Sequence, residues 1–249
     1  MWERMDEEKR PDLKDPVLLV SLSTSVQQYK VLYSQARELG KFMLKKMEFE
    51  KFATLYSSSM PPLVAISDEG IIRLYSASFY HHPGERDLVL LAGDASPVDE
   101  QYEFSESVLK YAHGLGVREV VSVGTRWTEE AASPTATPRV KGFATDEKGV
   151  KDLEGWGVEI TRDEPAPYFA SLIIALADRY GMRGYKLSVD HGEPIPHPRS
   201  VIEIMATLQK IMGFRVDTSE LIGIADKMAA NLEPGVGNDP SQRKSGIYG

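Results

Sequence analysis

The first continuous apolar run, Val17-Leu18-Leu19-Val20, follows Pro16 and shows no alternation, as expected of a strand covered on both faces. Leu32, Ala36, Leu39, Met43 and Met47 then recur at spacings of three and four, which places them on one face of a helix. Phe52 to Tyr56 reads as a second strand. Leu63 to Ser67 and Ile71 to Phe79 flank Asp68-Glu69-Gly70 and predict a hairpin. Leu88 to Leu91 is again wholly apolar and leads into Gly93-Asp94. The next helix is expected to start at Ser96, with Pro97 in its first turn and Asp99 at the positive end of its dipole. Phe104, Val108, Tyr111 and Leu115 form its buried stripe, and Gly114 and Gly116 end it. Glu119 to Val123 follows as a strand, so Leu88 to Val123 reads as one right-handed βαβ crossover.

Arg126 to Pro138 reads as a long loop, and Arg139 to Thr145 and Gly157 to Thr161 as weaker strands. Pro165 to Tyr180 predicts a helix closed by Gly181. Its middle, Leu172 to Ala177, is apolar beyond what one sheet face needs, so part of this surface, or of the C-terminal helices, is expected to be covered by a second subunit. Gly184 to Val189 reads as the last strand. Helices over Arg199–Met212 and Thr218–Leu232 follow, separated by Gly213, with Asp217 and Glu220 as a capping pair for the second. The order predicts an α/β fold: a mixed, mainly parallel sheet flanked by helices, with C-terminal helices and a flexible tail. Residues 1–15 alternate charges and are expected to fray, residues 16–232 form the domain, and residues 233–249, rich in Gly, Ser and Asn, read as a coil.

Composition narrows the function classes. The chain has 249 residues, 29 Lys plus Arg against 37 Asp plus Glu, and no cysteine. That removes disulfides, thiolate metal sites and cysteine nucleophiles. The net charge of −8 argues against nucleic acid as a partner, since no excess of cations is present to displace phosphate counterions. No apolar run approaches the roughly 20 residues of a membrane span, and Met1 to Lys14 lacks the apolar centre of a signal peptide. The expected compartment is the cytosol.

Candidate chemistry is sparse. The turn Ser21-Leu22-Ser23-Thr24-Ser25-Val26 follows the first strand, where βαβ folds hold nucleotides, but it contains no glycine to let a phosphate approach the backbone. Helix capping is the simpler role for its hydroxyls. His81-His82 and Asp190-His191-Gly192-Glu193 with His197 are metal-ligand types in proximity. Pro194, Pro196 and Pro198 prevent a helix from aligning His191 with His197, and the zinc-helix pattern is absent. No serine-hydrolase elbow is present. Gly93-Asp94 and Gly124-Thr125-Arg126 lie at strand carboxyl ends, where α/β folds place ligands, although Gly and Asp also serve there simply to turn the chain. The expectation is no catalytic, cofactor or metal site. A small-molecule enzyme of nucleosidase or hydrolase type, using a cleft at the strand carboxyl ends, is the alternative.

The sharpest feature is the final tripeptide Ile247-Tyr248-Gly249. A solvated coil has no folding reason to end in a large aliphatic and an aromatic residue. Such an end suits a pocket with an apolar wall for Ile247, a hydrogen-bond partner for Tyr248 and a cation for the Gly249 carboxylate. About 15 residues of coil reach roughly 20 Å on average and ~50 Å when stretched.

The tail resembles the hydrophobic–tyrosine–any-residue motif with which proteasome activators and assembly factors dock on the α-ring of the core proteasome. The body resembles the proteasome assembly chaperone two family. That likeness rests on Asp87-Leu88-Val89-Leu90-Leu91-Ala92-Gly93-Asp94 with Pro97 and Tyr102-Glu103, and on Leu115-Gly116-Val117-Arg118-Glu119-Val120-Val121-Ser122-Val123-Gly124. Asp68 to Ile72, Pro198, Val201, Val216-Asp217 and Leu221 extend it. The glycine-rich turn common after the family's first strand is replaced here by Ser23-Thr24-Ser25. The resemblance implies a nucleoside-phosphorylase-like sandwich, homo- or hetero-oligomers, with a homo-oligomer expected for this chain, no enzymatic activity and no cofactor. It also implies archaeal-type chaperone or ATP-independent activator function, with core proteasome α-ring subunits as partners and Ile247, Tyr248 and Gly249 as the partner-binding residues.

Overall fold

The computed structural model describes residues 2–22, 26–27, 30–31, 34–127, 138–191 and 198–230. The N-terminal segment expected to fray instead forms strand β1 (Glu3–Glu7), antiparallel to β5 at one edge of the main sheet. Met5 packs on the core, and on the same side of the strand Glu3 accepts from Ser57 and Ser107. Tyr111 donates to Glu7 at 2.7 Å and Arg10 donates to the Gly114 carbonyl at 2.6 Å. These tertiary ties overcome the weak local strand signal.

The apolar run becomes β2 (Val17–Ser21), buried throughout. A small ribbon of β3 (Val26–Gln27) and β4 (Lys30–Val31) leads to α1 (Gln35–Lys46), capped by Ser34, whose side chain accepts from Arg37 N. β5 (Glu50–Ser57) is followed by the predicted hairpin of β6 (Val64–Ile66) and β7 (Ile72–Leu74). The second predicted run divides. Its later part, β8 (Ala77–His82), enters the main sheet between β5 and β9 (Leu88–Gly93).

Helix α2 (Gln101–Gly114) begins later than Ser96 and Pro97 suggest. Val98 N donates to the Ser59 carbonyl at 2.8 Å, which holds residues before the helix against the loop after β5, and Glu100 turns into the left-handed region at φ 46° before the helix starts. β10 (Glu119–Trp127) completes the crossover, with β2 lying between it and β9. β11 (Val140–Ala144), α3 (Glu147–Gly155) and β12 (Glu159–Ile160) follow. The apolar pattern does not mark α3, a short helix containing Gly149 and Gly155. Gly149 is needed for packing: a Cβ there would lie 2.7 Å from that of Ala144.

α4 (Phe169–Ala177) is shorter than the predicted span and ends in a 3-10 turn over Asp178–Tyr180. β13 (Arg183–His191), α5 (Pro198–Met212) and α6 (Ser219–Ala230) complete the described chain. At the start of α6, Asp217 accepts from Ser219 N at 2.9 Å. Glu220 does not complete the expected capping pair. Its carboxylate bridges Lys45 and Lys46 of α1, each at 2.7 Å, and those two hydrogen bonds pull its pKa down to about 2.

Nine strands form one sheet in the order β1-β5-β8-β9-β2-β10-β13-β11-β12. Its centre, β9-β2-β10-β13, is parallel, and both flanks contain antiparallel pairs. Leu18, Val20, Val89, Leu91 and Val120 face one core, closed by α2 and α4. Val17, Leu19, Leu88, Leu90 and Val121 face the other, closed by α1, α3 and α5. This double burial is why the central strands show no alternation. It also accounts for α4. Ile173, Ile174, Leu176 and Ala177 are buried against α2, β10 and β13 of the same chain, so the apolar middle of this helix does not call for a second subunit.

Candidate functional site

The carboxyl ends of β9, β2, β10 and β13 lie together and carry most of the strand-end candidates. Ser21, Gly93 and Asp94 each have a structural role there. The Ser21 hydroxyl donates to the Ala36 carbonyl at 2.5 Å, tying β2 to α1. Gly93 is set by close backbone approach, because a Cβ there would lie 2.4 Å from the Ser76 carbonyl oxygen. Asp94 accepts two hydrogen bonds from Arg73, at 2.5 and 2.8 Å, and one from Ser76 N at 3.1 Å. The Gly-Asp pair therefore anchors the β6–β7 hairpin to the end of β9. Ser23 to Ser25 lie outside the described residues.

Gly124 stands beside a side chain that the sequence pattern does not single out. A Cβ at Gly124 would sit 2.5 Å from Lys186 Nζ. Lys186 is 6% exposed and its amine donates to the Leu187 carbonyl at 2.7 Å. Burial draws its pKa down from 10.5 to about 7. The available signal is a lysine inside a strand whose neighbours, Tyr185 and Leu187, are buried on the opposite face.

The paired histidines point to opposite sides of β8. His82 Nδ1 lies 2.7 Å from the Glu48 carbonyl oxygen, and its ring packs against Phe49. His81 Nε2 lies 3.4 Å from Asp87 without hydrogen-bond geometry. Burial opposes ionisation of Asp87, but donation from Lys14 N and Gly84 N, with His81 nearby, holds its pKa below the ordinary value. His191 ends β13, and Gly192 to His197 lie outside the described residues. Among the described residues no three His, Asp or Glu side chains gather as a metal site. A shallow polar depression at the opposite end of the sheet contains Arg183 and Asp146, paired at 2.9 Å, and Glu119, paired with Arg86 at 2.7 Å. Its charges are largely matched by one another.

Two apolar surfaces face outward. In the hairpin, Val64 opposes Leu74 and Ile66 opposes Ile72, which puts these four side chains on one face of the ribbon. With Ile71 they are 46 to 68% exposed. Arg73, on the other face, makes the contact with Asp94. On α6, Ile222, Ile224 and Met228 are also exposed. Ile247, Tyr248 and Gly249 lie outside the described residues, which end at Ala230. No helix among the described residues is long and apolar enough to cross a membrane.

Comparison with solved structures finds this fold in a proteasome activator, PbaB, of Pyrococcus furiosus. The two are 21% identical with a TM-score of 0.78, over 92% of this chain and 97% of that one. PbaA of the same organism, an archaeal homologue of proteasome-assembly chaperone, is 18% identical with a TM-score of 0.72, over 92% and 90%. In sequence, an uncharacterised protein of Methanocaldococcus jannaschii is 22% identical over 201 residues, 79% of this chain and 75% of that protein. Residues 36–234 match the model of the PAC2 family, a span that includes the central parallel strands β9, β10 and β13 and all six helices apart from the first residue of α1. This chain therefore belongs to the PAC2 family.

Proposed function

We propose that this chain is a cytosolic, proteasome-binding assembly chaperone or ATP-independent activator of archaeal type, working without enzymatic chemistry of its own. In this reading it docks Ile247, Tyr248 and Gly249 into pockets of the core proteasome α-ring. The observation that carries the proposal is the tripeptide itself, an aliphatic residue, a tyrosine and a glycine closing a polar, glycine-containing stretch. Family membership and the fold shared with the Pyrococcus furiosus activator support it. With Gly249 carrying the terminal carboxylate, Ile247 fills an apolar wall and Tyr248 packs its ring and bonds through its hydroxyl. The carboxylate pairs with a pocket lysine. Residues 231–246 supply the reach from α6 to the ring surface.

The same proposal includes a homo-oligomer, because several weak tails joined in one particle gain avidity on a ring of repeated pockets. The outward apolar face of the β6–β7 hairpin and the exposed side chains of α6 are the surfaces offered for it. The test is binding of the full chain to immobilised core proteasome. Tyr248→Ala is expected to abolish retention and to leave thermal unfolding unchanged. Undiminished retention of that variant would sink the docking assignment.

A further inference from the structure

Ser122 of β10 lies opposite Lys186 of β13, and Gly124 opposite Ser188, in the parallel register. The long Lys186 side chain runs along this face towards the carboxyl ends of the strands. The point where a Gly124 Cβ would sit is 2.5 Å from Nζ, 3.2 Å from Cε and 3.8 Å from the Cβ of Ala170 in the first turn of α4. The absent Cβ therefore makes room for an amine beneath the start of that helix. Among the described residues Lys186 has one acceptor, the carbonyl of its own neighbour Leu187, and burial is the influence that lowers its pKa.

Two further groups of donors lie on the same face of the sheet. The Ser122 hydroxyl is fully buried and has no hydrogen-bond partner. Helix α4 starts at Phe169 without a side-chain cap from Tyr168. The amides of Phe169 and Ala170 have no acceptor within the helix, and they mark its positive end. An amine whose acceptor is a main-chain carbonyl, a buried hydroxyl without a partner and an uncapped helix start thus lie on one face of the sheet. Buried polar groups are normally satisfied, and the carboxyl ends of parallel strands are where α/β sheets hold ligands.

We propose that Lys186, Ser122 and the first turn of α4 form a binding site for one oxyanion group, the phosphate or carboxylate of a small molecule. The anion accepts from Lys186 Nζ, from Ser122 Oγ and from the α4 amides, and it restores the positive charge of Lys186 by pairing with it. The site is independent of the proteasome-docking tail.

The test is thermal unfolding of the full chain at neutral pH and fixed ionic strength, with chloride replaced by inorganic phosphate in one arm and by acetate in the other. A saturable rise of a few degrees with either anion supports the site, and the arm that responds identifies the ligand class. Ser122→Ala is expected to weaken the response about tenfold and Lys186→Met to remove it. NMR titration of the Lys186 ammonium in the unsubstituted chain gives a readout that needs no variant to fold. Its pKa should rise by about a unit or more when the anion is bound. No shift with either anion, or an unchanged shift in Lys186→Met, would overturn the assignment.

Discussion

Lys186 gives stability an unusual dependence on pH. Its amine ionises at about 7 in the folded chain, against an ordinary value of 10.5. Between those values the unfolded chain holds one more proton than the folded chain. Stability contributed by this group therefore rises with pH, by up to about 1.4 kcal/mol per unit. Among the described residues, Ser122 of β10 and Phe143 of β11 flank Lys186 across the sheet, Gly124 and Ala170 lie by its amine, and none of these four titrates in this window. Lys186→Met, which keeps the length and removes the charge, is expected to flatten that slope and to raise stability at neutral pH. Urea unfolding of both proteins across the window checks this, and parallel slopes would show that the amine does not govern it. The sequence alone could not assign this role to Lys186. A lysine in a strand reads as solvent-facing, and only the helices on both sides of the sheet show that no face of β13 is free.

The hairpin formed by β6 and β7 is tied to the sheet chiefly through its polar side. Two strands of three residues each are marginal on their own. The bidentate contact between Arg73 and Asp94 supplies the tether. Arg73→Ala is expected to speed hydrogen exchange in Val64–Leu74 while changing global stability by no more than ~1 kcal/mol, as suits an exposed ion pair. Protection unchanged in that segment would show that the tether lies elsewhere.

Other elements show what local pattern can and cannot reveal. The Leu88–Val123 crossover was legible because buried parallel strands and a helix with a regular stripe both leave strong signals. Strand β1 left none, since its residues are mostly charged and its order comes from pairing with β5 and contacts to α2. Helix α3 was hidden by glycines placed for close packing. The starts of α2 and α4 lie beyond their prolines. At α2 a hydrogen bond to Ser59 fixes the preceding backbone, and before α4 Tyr168 adopts a positive φ of 72°.

Across the whole molecule, the case for oligomers moves from α4 to surfaces that the sequence pattern did not separate from core. Val64, Ile66, Ile71, Ile72 and Leu74 read as ordinary hairpin residues, yet they form an outward apolar face. Ile66→Lys combined with Ile72→Lys is expected to reduce the sedimenting mass at micromolar concentration, because two charges per copy would be desolvated in the interface. An unchanged mass would assign the contact to another surface.

The central claim concerns the last three residues, which are legible in the sequence as a motif. It is tested most directly by following hydrolysis of a short fluorogenic peptide by core proteasome, titrated with the full chain, with the chain lacking Ile247 to Gly249, and with the chain extended by one residue after Gly249. The account predicts that the full chain produces a saturable change in hydrolysis, and that both altered chains produce almost none while keeping their unfolding temperature and oligomer size. A truncated chain that acts on the core particle with undiminished affinity would contradict it.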